Sequence, residues 1–105
     1  MDLINQLFQN SAPKKKKKVD HEALASPLNR IPGIDLKTVR DLIDLGIKMR
    51  EDLYGRAPEV LFEDLRKLKG DSIPPERLWM LRLAIYYVET PEPEQSKLTP
   101  WAWQE

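Results

Sequence analysis

The segment Leu78–Val88 restricts the fold of this chain more than any other feature of its sequence. Arg82 is its only charged residue, and the other ten residues are apolar or aromatic. A helix that is apolar on nearly every side is stable only when other parts of the chain cover most of its surface. The pattern therefore predicts a central helix that begins near Pro75, ends before Pro91 and has shorter helices packed around it.

Prolines and glycines divide the rest of the chain into short segments. The sequence holds nine prolines and four glycines. Ser26–Pro27 combines an N-cap residue with proline at the first helical position, and Gly46 stands where a helix C-terminal glycine belongs. Alternating strand patterns of useful length are missing, and short helices are predicted at about 27–31, 36–45, 49–54 and 58–68. We therefore expect an all-α fold, a small bundle of short helices around the long C-terminal helix.

Composition excludes several classes of protein. The chain has 105 residues, which is room for one domain. It has no cysteine and only one histidine, His21, which excludes a disulfide scaffold and thiol catalysis and argues against a metal site. A glycine-rich phosphate loop and a nucleophile paired with a base are missing, so we expect no enzyme and no cofactor. No apolar run approaches the ~18 residues that span a bilayer and no secretory leader opens the chain, which predicts a cytoplasmic protein without a membrane partner.

Charge is distributed unevenly along the chain, although 17 basic and 17 acidic side chains leave no net charge. Five adjacent lysines follow a short segment whose apolar residues have helical spacing, and they are Lys14, Lys15, Lys16, Lys17 and Lys18. Because like charges repel, residues 11–19 are predicted to be an extended, mobile linker. The alternatives are an arm that lies along phosphates, a membrane-surface anchor and a nuclear import signal.

The segment Ile31–Asp35 predicts a tight hairpin between the first two helices of the body. Pro32 removes one hydrogen-bond donor and ends the first helix, and glycine is needed where the backbone turns. The amides of 33–36 are then expected to point outward at the N-terminus of the next helix, with Lys37 and Thr38 nearby. Unpaired N–H groups at the positive end of a helix dipole form an anion site. Such a site suits a nucleic-acid phosphate and reads no sequence.

These residues resemble the helix-hairpin-helix family, whose hairpin reads hydrophobic–Pro–Gly–Ile–Gly and whose members bind DNA phosphates without sequence specificity. The resemblance implies nucleic-acid contacts at Gly33, Ile34, Asp35, Lys37 and Thr38. In this chain Asp35 stands where the family has its second glycine. Its carboxylate either repels a phosphate or caps the second helix and points away.

Neighbouring charges favour a purely structural hairpin slightly. Lys37 has Asp41 one turn further along the predicted helix, and Arg40 has Asp44 in the same relation. Ion pairs on the helix surface are therefore expected to occupy both cations.

A weaker echo of the hairpin lies further along the chain. Leu65–Gly70 repeats the spacing of Leu28–Gly33, with Lys67 and Lys69 but also Asp71 close by. This second hairpin either pairs with the first on a duplex or is a structural remnant.

Resemblance to a known family extends over about residues 26–105. The matching motifs are Leu45–Gly46–Ile47, Asp52–Leu53–Tyr54–Gly55–Arg56, Pro58–Glu59–x–Leu61, Arg82–x–Ala84–Ile85–Tyr86–Tyr87 and Trp101–Ala102–Trp103. They look like the bacterial "pathogenicity locus" family, also labelled mitomycin-resistance-type proteins. This resemblance implies a bacterial source and a shared fold but no mechanism.

Three parts are predicted along the chain. Residues 1–19 form a short N-terminal helix and a mobile lysine-rich linker, 20–90 form the helix-hairpin-helix domain, and 91–105 form a proline- and tryptophan-containing tail that packs on the domain. Trp101 and Trp103 are expected to cover the core, with stacking on bases or docking of a partner as alternatives.

Two functions follow from these patterns. The first is a non-enzymatic, sequence-independent DNA-binding module that grips phosphates through the hairpin and the lysine arm. The second is a protein-interaction module in which the hairpin is structural and docking uses the N-terminal helix or the tryptophan tail.

Overall fold

A computed structural model describes residues 19–104 of the chain. Within this range four α-helices and no strand occur: α1 His21–Ala25, α2 Leu36–Asp44, α3 Pro58–Lys69 and α4 Glu76–Glu89. Short 3-10 helices cover Pro27–Arg30, Arg50–Leu53, Gln95–Lys97 and Pro100–Trp103. The predicted all-α fold class is confirmed. The expectations for the N-terminal helix, the linker and the five lysines lie outside the described residues.

Side-chain caps set the boundaries of the first two short helices. The Asp20 carboxylate accepts a hydrogen bond from the Ala23 amide at 3.1 Å, and Ser26 Oγ accepts one from the Leu28 amide at 3.0 Å. Pro27 occupies the first position of its 3-10 helix, as the Ser26–Pro27 pattern predicts. Asn29 Nδ2 then donates to the Ala23 carbonyl at 2.6 Å and so satisfies an acceptor at the end of α1.

Helix α2 ends in a Schellman motif. Gly46 has a φ of +90°, and its amide donates to the Ile43 carbonyl at 2.9 Å. The Ile47 amide donates to the Leu42 carbonyl at 2.8 Å, and the Ile47 side chain is fully buried. The predicted role of Gly46 as the C-terminal glycine of this helix is confirmed, because only a residue tolerant of positive φ lets the chain turn back into the core.

Helix α4 contributes more side chains to the core than any other described element. Its buried residues are Leu81, Leu83, Ala84, Ile85 and Val88. It packs against α2, α3, the 3-10 helix Arg50–Leu53 and the C-terminal 3-10 helix. Trp79, Met80, Tyr86 and Tyr87 are only partly buried. The predicted central helix is therefore present, with one side open at its aromatic residues.

The C-terminal segment packs on α4 through an aromatic contact and a hydrogen bond, both made by Trp103. The Trp103 ring lies 5.2 Å from the Tyr86 ring between centroids, and its Nε1 donates to the Lys97 carbonyl at 2.8 Å. Arg82 Nη1 donates to the Trp103 carbonyl at 2.7 Å. Trp101 remains 67% exposed, so of the two tail tryptophans only Trp103 covers the core. None of the helices within 19–104 combines the length and apolar character that crossing a membrane requires.

Candidate nucleic-acid interface

The hairpin that precedes α2 needs glycine for reasons internal to the protein. Gly33 has a φ of +89°, a backbone conformation that residues with a side chain rarely adopt. A Cβ atom built on Gly33 would lie 2.5 Å from the Leu98 carbonyl oxygen and 2.7 Å from Leu83 Cδ1. The turn and the packing of the C-terminal segment therefore both account for Gly33 without a phosphate.

Asp35 is the N-cap of α2. Its Oδ1 accepts hydrogen bonds from the Thr38 amide at 2.9 Å and from Thr38 Oγ1 at 2.7 Å, and its Oδ2 lies 3.6 Å from Arg77 Nη1. Partial burial acts to raise the pKa of Asp35, but the hydrogen bonds from Thr38 and the charge of Arg77 outweigh it and hold the pKa below its ordinary value. The sequence left two roles for Asp35, repulsion of a phosphate and capping of α2. In the structure Asp35 caps the helix.

Several hairpin amides have no acceptor within the described part of the chain. The amides of Gly33, Ile34, Leu36 and Lys37 donate to no backbone or side-chain oxygen there, whereas the Thr38 amide is used by Asp35. Thr38 is fully buried and its hydroxyl also contacts Met80, so it is not open to a ligand. These amides stand at the N-terminus of α2, the positive end of its dipole, where an anion is favoured.

An ion-pair cluster lies beside the hairpin, and its members are Asp20, Glu22, Arg40, Asp41, Asp44, Lys69 and Arg77. Arg40 forms three of its ion pairs. Its guanidinium lies 3.1 Å from Asp20, 3.1 Å from Glu22 and 2.9 Å from Asp44. The hydrogen bonds that Arg40 donates to Glu22 and Asp44 raise the pKa of Arg40 above its ordinary value. The predicted Arg40–Asp44 pair is confirmed.

Asp41 holds the other half of the cluster and is almost entirely buried. Lys69 Nζ lies 2.6 Å from Asp41 Oδ1 and 2.8 Å from Asp44 Oδ2, and Arg77 Nε lies 3.0 Å from Asp41 Oδ2. Burial lowers the pKa of Lys69, but the hydrogen bonds to Asp41 and Asp44 outweigh it and the pKa is raised. These contacts join α2 to the end of α3 and the start of α4, which is the region of the second predicted hairpin.

The expected ion pair between Lys37 and Asp41 is wrong. Asp41 faces Lys69 and Arg77 in the interior, whereas Lys37 is exposed and forms no ion pair within residues 19–104. Lys37 and Asp41 are four positions apart on the helix. The Asp41 carboxylate is buried, however, and both of its oxygens already contact cations. Lys37 is consequently the cation of α2 that remains open to a ligand.

A groove of about 350 Å³ brings these groups together. It is lined by Asp20, Leu36, Lys37, Arg40, Asp41, Lys69 and Arg77. Three of its four cations contact carboxylates, and the fourth, Lys37, forms no ion pair within residues 19–104. No group of three metal-ligating side chains occurs in 19–104, and His21 is exposed at the start of α1.

Acid should destabilise the protein once the pH falls below the ordinary pKa of aspartate. A hydrogen bond from Lys69 lowers the pKa of Asp44, as Thr38 and Arg77 do for Asp35. Carboxylates with lowered folded pKa values stabilise the fold above the unfolded value near 3.8, and this contribution is lost as the pH falls through the folded values.

Thermal unfolding measured from about pH 7 to about pH 2 tests this expectation. The Asp44→Asn variant should lose less stability on acidification than the wild-type protein. Glu63→Gln, on the exposed side of α3, is the matched control and should follow the wild type. Equal acid sensitivity of Asp44→Asn and wild type would contradict the expectation.

The sequence did not connect Arg77 and Lys69 with this region, although it placed Lys69 in the second predicted hairpin. Arg77 follows the two prolines that precede α4, and Lys69 is the last residue of α3. Their contacts to Asp41 join residues far apart in sequence, and helical spacing within α2 carries no information on them. The similar spacing of the two predicted hairpins is the sequence signal that could have placed Lys69 and Arg77 close to the first hairpin.

The described residues define a small all-α domain with an ion-pair cluster beside an exposed helix N-terminus. The chain belongs to the family described as "Pathogenicity locus" (Cdd1), whose model matches residues 21–105. No curated protein and no solved structure matches the chain. The predicted membership of the pathogenicity-locus family is thereby confirmed, and the helix-hairpin-helix and mitomycin-resistance assignments stay predictions.

Proposed function

We propose that this protein is a non-enzymatic, sequence-independent DNA-binding module of the helix-hairpin-helix type. Within residues 19–104 the amides of Gly33, Ile34, Leu36 and Lys37 have no acceptor and the Lys37 side chain forms no ion pair. This observation at the N-terminus of α2 carries the proposal. Phosphate oxygens accept hydrogen bonds from such amides, and the helix dipole favours their negative charge. Contacts to phosphate alone position a protein on DNA without reading its sequence.

The charges around the hairpin determine how strong such binding is. Asp20, Glu22, Asp35, Asp41 and Asp44 contribute five carboxylates, against the cations Arg40, Lys69, Arg77 and Lys37. The site therefore has one more negative than positive charge, and phosphate binding by the hairpin alone is weak. Lys14–Lys18 supply the missing charge as an arm along the phosphates, which makes binding strongly dependent on salt.

Neutralising Lys37 should weaken binding to duplex DNA. In Lys37→Gln the affinity should fall for every duplex sequence alike, and the slope of log affinity against log salt should decrease by about 1, because one phosphate contact is lost. Fluorescence anisotropy with a labelled duplex across a salt series measures both quantities.

Lys48→Gln is the matched control for Lys37→Gln. Lys48 is also exposed, but it follows the C-terminal end of α2, at the opposite end of the helix from the hairpin. Its neutralisation should leave the duplex affinity within about twofold of the wild type. Equal effects of the two substitutions would refute a phosphate contact at the hairpin.

Protein interaction is the second candidate function, and one observation favours it. Trp101 is 67% exposed beside an open groove of about 720 Å³ whose lining includes Pro58, Tyr86 and Trp103. Exposed tryptophans are frequent anchors of protein interfaces. A folded Lys37→Gln variant that binds duplex DNA as tightly as the wild type would make this the preferred function.

A further inference from the structure

A pocket of about 230 Å³ lies between α1 and the C-terminal end of α2. Its lining is drawn from α1, from the start of the following 3-10 helix and from both sides of the Gly46 turn, and consists of Glu22, Ala25, Ser26, Pro27, Ile43 and Lys48. Of these residues Glu22 alone also belongs to the ion-pair cluster. We call this site the α1–α2 pocket.

Half of the residues that line the α1–α2 pocket are apolar, and its polar residues are largely engaged elsewhere. Ser26 Oγ accepts a hydrogen bond from the Leu28 amide at 3.0 Å, and Glu22 Oε1 lies 3.1 Å from Arg40 Nη2. Lys48 contributes a long aliphatic chain below its ammonium group. The pocket therefore offers more contact to apolar side chains than to a hydrophilic ligand.

The chain that precedes the described residues enters the domain next to this pocket. Residues 1–18 come before Val19, and Glu22 of the pocket lies three positions after Val19. Since a residue spans at most about 3.6 Å, residues 11–21 bridge up to about 40 Å. A tether of this length keeps residues 1–10 beside α1 at an effective concentration in the millimolar range, so that even weak docking there is populated.

Residues 1–10 carry side chains of the matching kind. Leu3, Ile4, Leu7 and Phe8 recur at the spacing of one helical face. An isolated helix of this length is marginal in water, and an amphipathic segment gains stability when its apolar face is covered. Leu7 and Phe8 are the two of these residues that lie nearest to the domain in sequence.

Charge at the start of α1 favours the same arrangement. The run Lys14–Lys18 is followed closely by Asp20 and Glu22. Within residues 19–104 Arg40 is the only cation in contact with these two carboxylates, and Asp44 shares it. Negative charge is therefore in excess beside the lysines and attracts them towards α1.

We infer that the α1–α2 pocket is the docking site of the chain's own N-terminal segment, with Leu7 and Phe8 seated against Ala25 and Ile43. The lysine run then connects the docked segment to α1. A second copy of the chain carries the same apolar residues, but the tether favours the segment of the same chain. The inference concerns contacts within one chain and goes beyond the proposed DNA binding, on which it does not depend.

Paramagnetic relaxation in the full chain, without DNA, tests the inference. The chain has no cysteine, so the Gln9→Cys variant carries a single spin label next to the apolar residues of the segment. In isotope-labelled protein the amide signals of Ile43 and Lys48, which are distant from the label in sequence, should lose most of their intensity. The signal of Tyr86, which lines the separate groove of about 720 Å³, should keep its intensity.

A change in the segment separates docking from the proximity that the tether alone imposes. In the spin-labelled protein the double variant Leu7→Ser/Phe8→Ser should restore the Ile43 and Lys48 signals, because it removes the apolar contacts. Gln6→Ser, at a polar position of the same segment, is the control and should leave both signals weak.

A change in the pocket provides the matching test on the domain. Ala25→Gln fills the pocket with a polar side chain and should also restore both signals. Leu24→Gln, at the neighbouring exposed position outside the pocket lining, is the matched control and should not restore them. Ala25 and Leu24 are both exposed, so folding should be retained, and thermal unfolding checks this.

Restored signals in the double variant and in Ala25→Gln together support the inference. Full intensity in the labelled wild-type background, or signals that stay weak in both variants, would overturn it. Signal loss in a mixture of spin-labelled protein and isotope-labelled, cysteine-free protein would assign the pocket to a second copy and overturn it as well. Because no DNA is present, none of these outcomes bears on the Lys37→Gln test of the proposed function.

Discussion

Gly33→Ala should destabilise the protein by about 2–4 kcal/mol, as the sum of backbone strain and overpacking. The strain arises because φ at Gly33 is +89°. Overpacking arises because the new Cβ would lie 2.5 Å from the Leu98 carbonyl oxygen, so the C-terminal segment must move. Thermal unfolding should show a melting temperature lower by about 4–8 °C per kcal/mol for a domain of this size.

Gly46→Ala separates the two causes. Gly46 has nearly the same φ, +90°, but a Cβ built there has no heavy atom within 4 Å. Its cost should be limited to backbone strain of about 1 kcal/mol. Equal destabilisation by Gly33→Ala and Gly46→Ala would show that the C-terminal segment adds no steric cost at position 33.

Asp41→Asn should destabilise the protein by about 2–3 kcal/mol. Asp41 is only 6% exposed and contacts both Lys69 and Arg77, so loss of its charge leaves two cations without their main partner. Breaking a fully buried ion pair costs about 3–5 kcal/mol, and the partial exposure of Lys69 reduces this value. Chemical denaturation at neutral pH measures the difference.

An exposed carboxylate provides the comparison for Asp41→Asn. Glu63 lies 3.0 Å from Arg66 on the outer side of α3, and its side chain is 57% exposed. Glu63→Gln should cost less than about 0.5 kcal/mol, because surface ion pairs contribute little. If Asp41→Asn costs equally little, the cluster is not a structural link between α2, α3 and α4.

Local patterns predicted the helices well because local chemistry forms them. Ser26–Pro27 and Gly46 are read directly from rules for helix ends, and the apolar segment Leu78–Val88 requires burial wherever it lies. Helical spacing in α3 predicts one inward face made of Val60, Leu61, Leu65 and Leu68, and the structure buries only half of it. Leu61 and Leu65 are buried, but Val60 and Leu68 are each 57% exposed. Helical spacing identifies an apolar face, but how much of that face is buried depends on the neighbouring helices.

The candidate site was predictable only in part for a related reason. Lys37 and the hairpin amides follow from the sequence of the turn itself. The capping role of Asp35 was one of two alternatives, since the competition between a phosphate and the Thr38 amide is decided by geometry. The partners of Asp41 were not predictable, because Lys69 and Arg77 reach it only after α3 and α4 have packed against α2.

The approach of Leu98 to Gly33 also bears on the order in which the fold assembles. The two residues are separated by most of the domain in sequence, so closing the intervening loop costs conformational entropy before their contact stabilises anything. Contacts of this kind tend to form after the transition state, and their loss accelerates unfolding while leaving the folding rate nearly unchanged. In stopped-flow experiments Gly33→Ala should therefore unfold faster than Gly46→Ala while refolding at a similar rate, and a slower refolding of Gly33→Ala would place the hairpin in the folding nucleus. We therefore expect the hairpin, although early in the chain, to be one of the last parts of the domain to reach its final geometry.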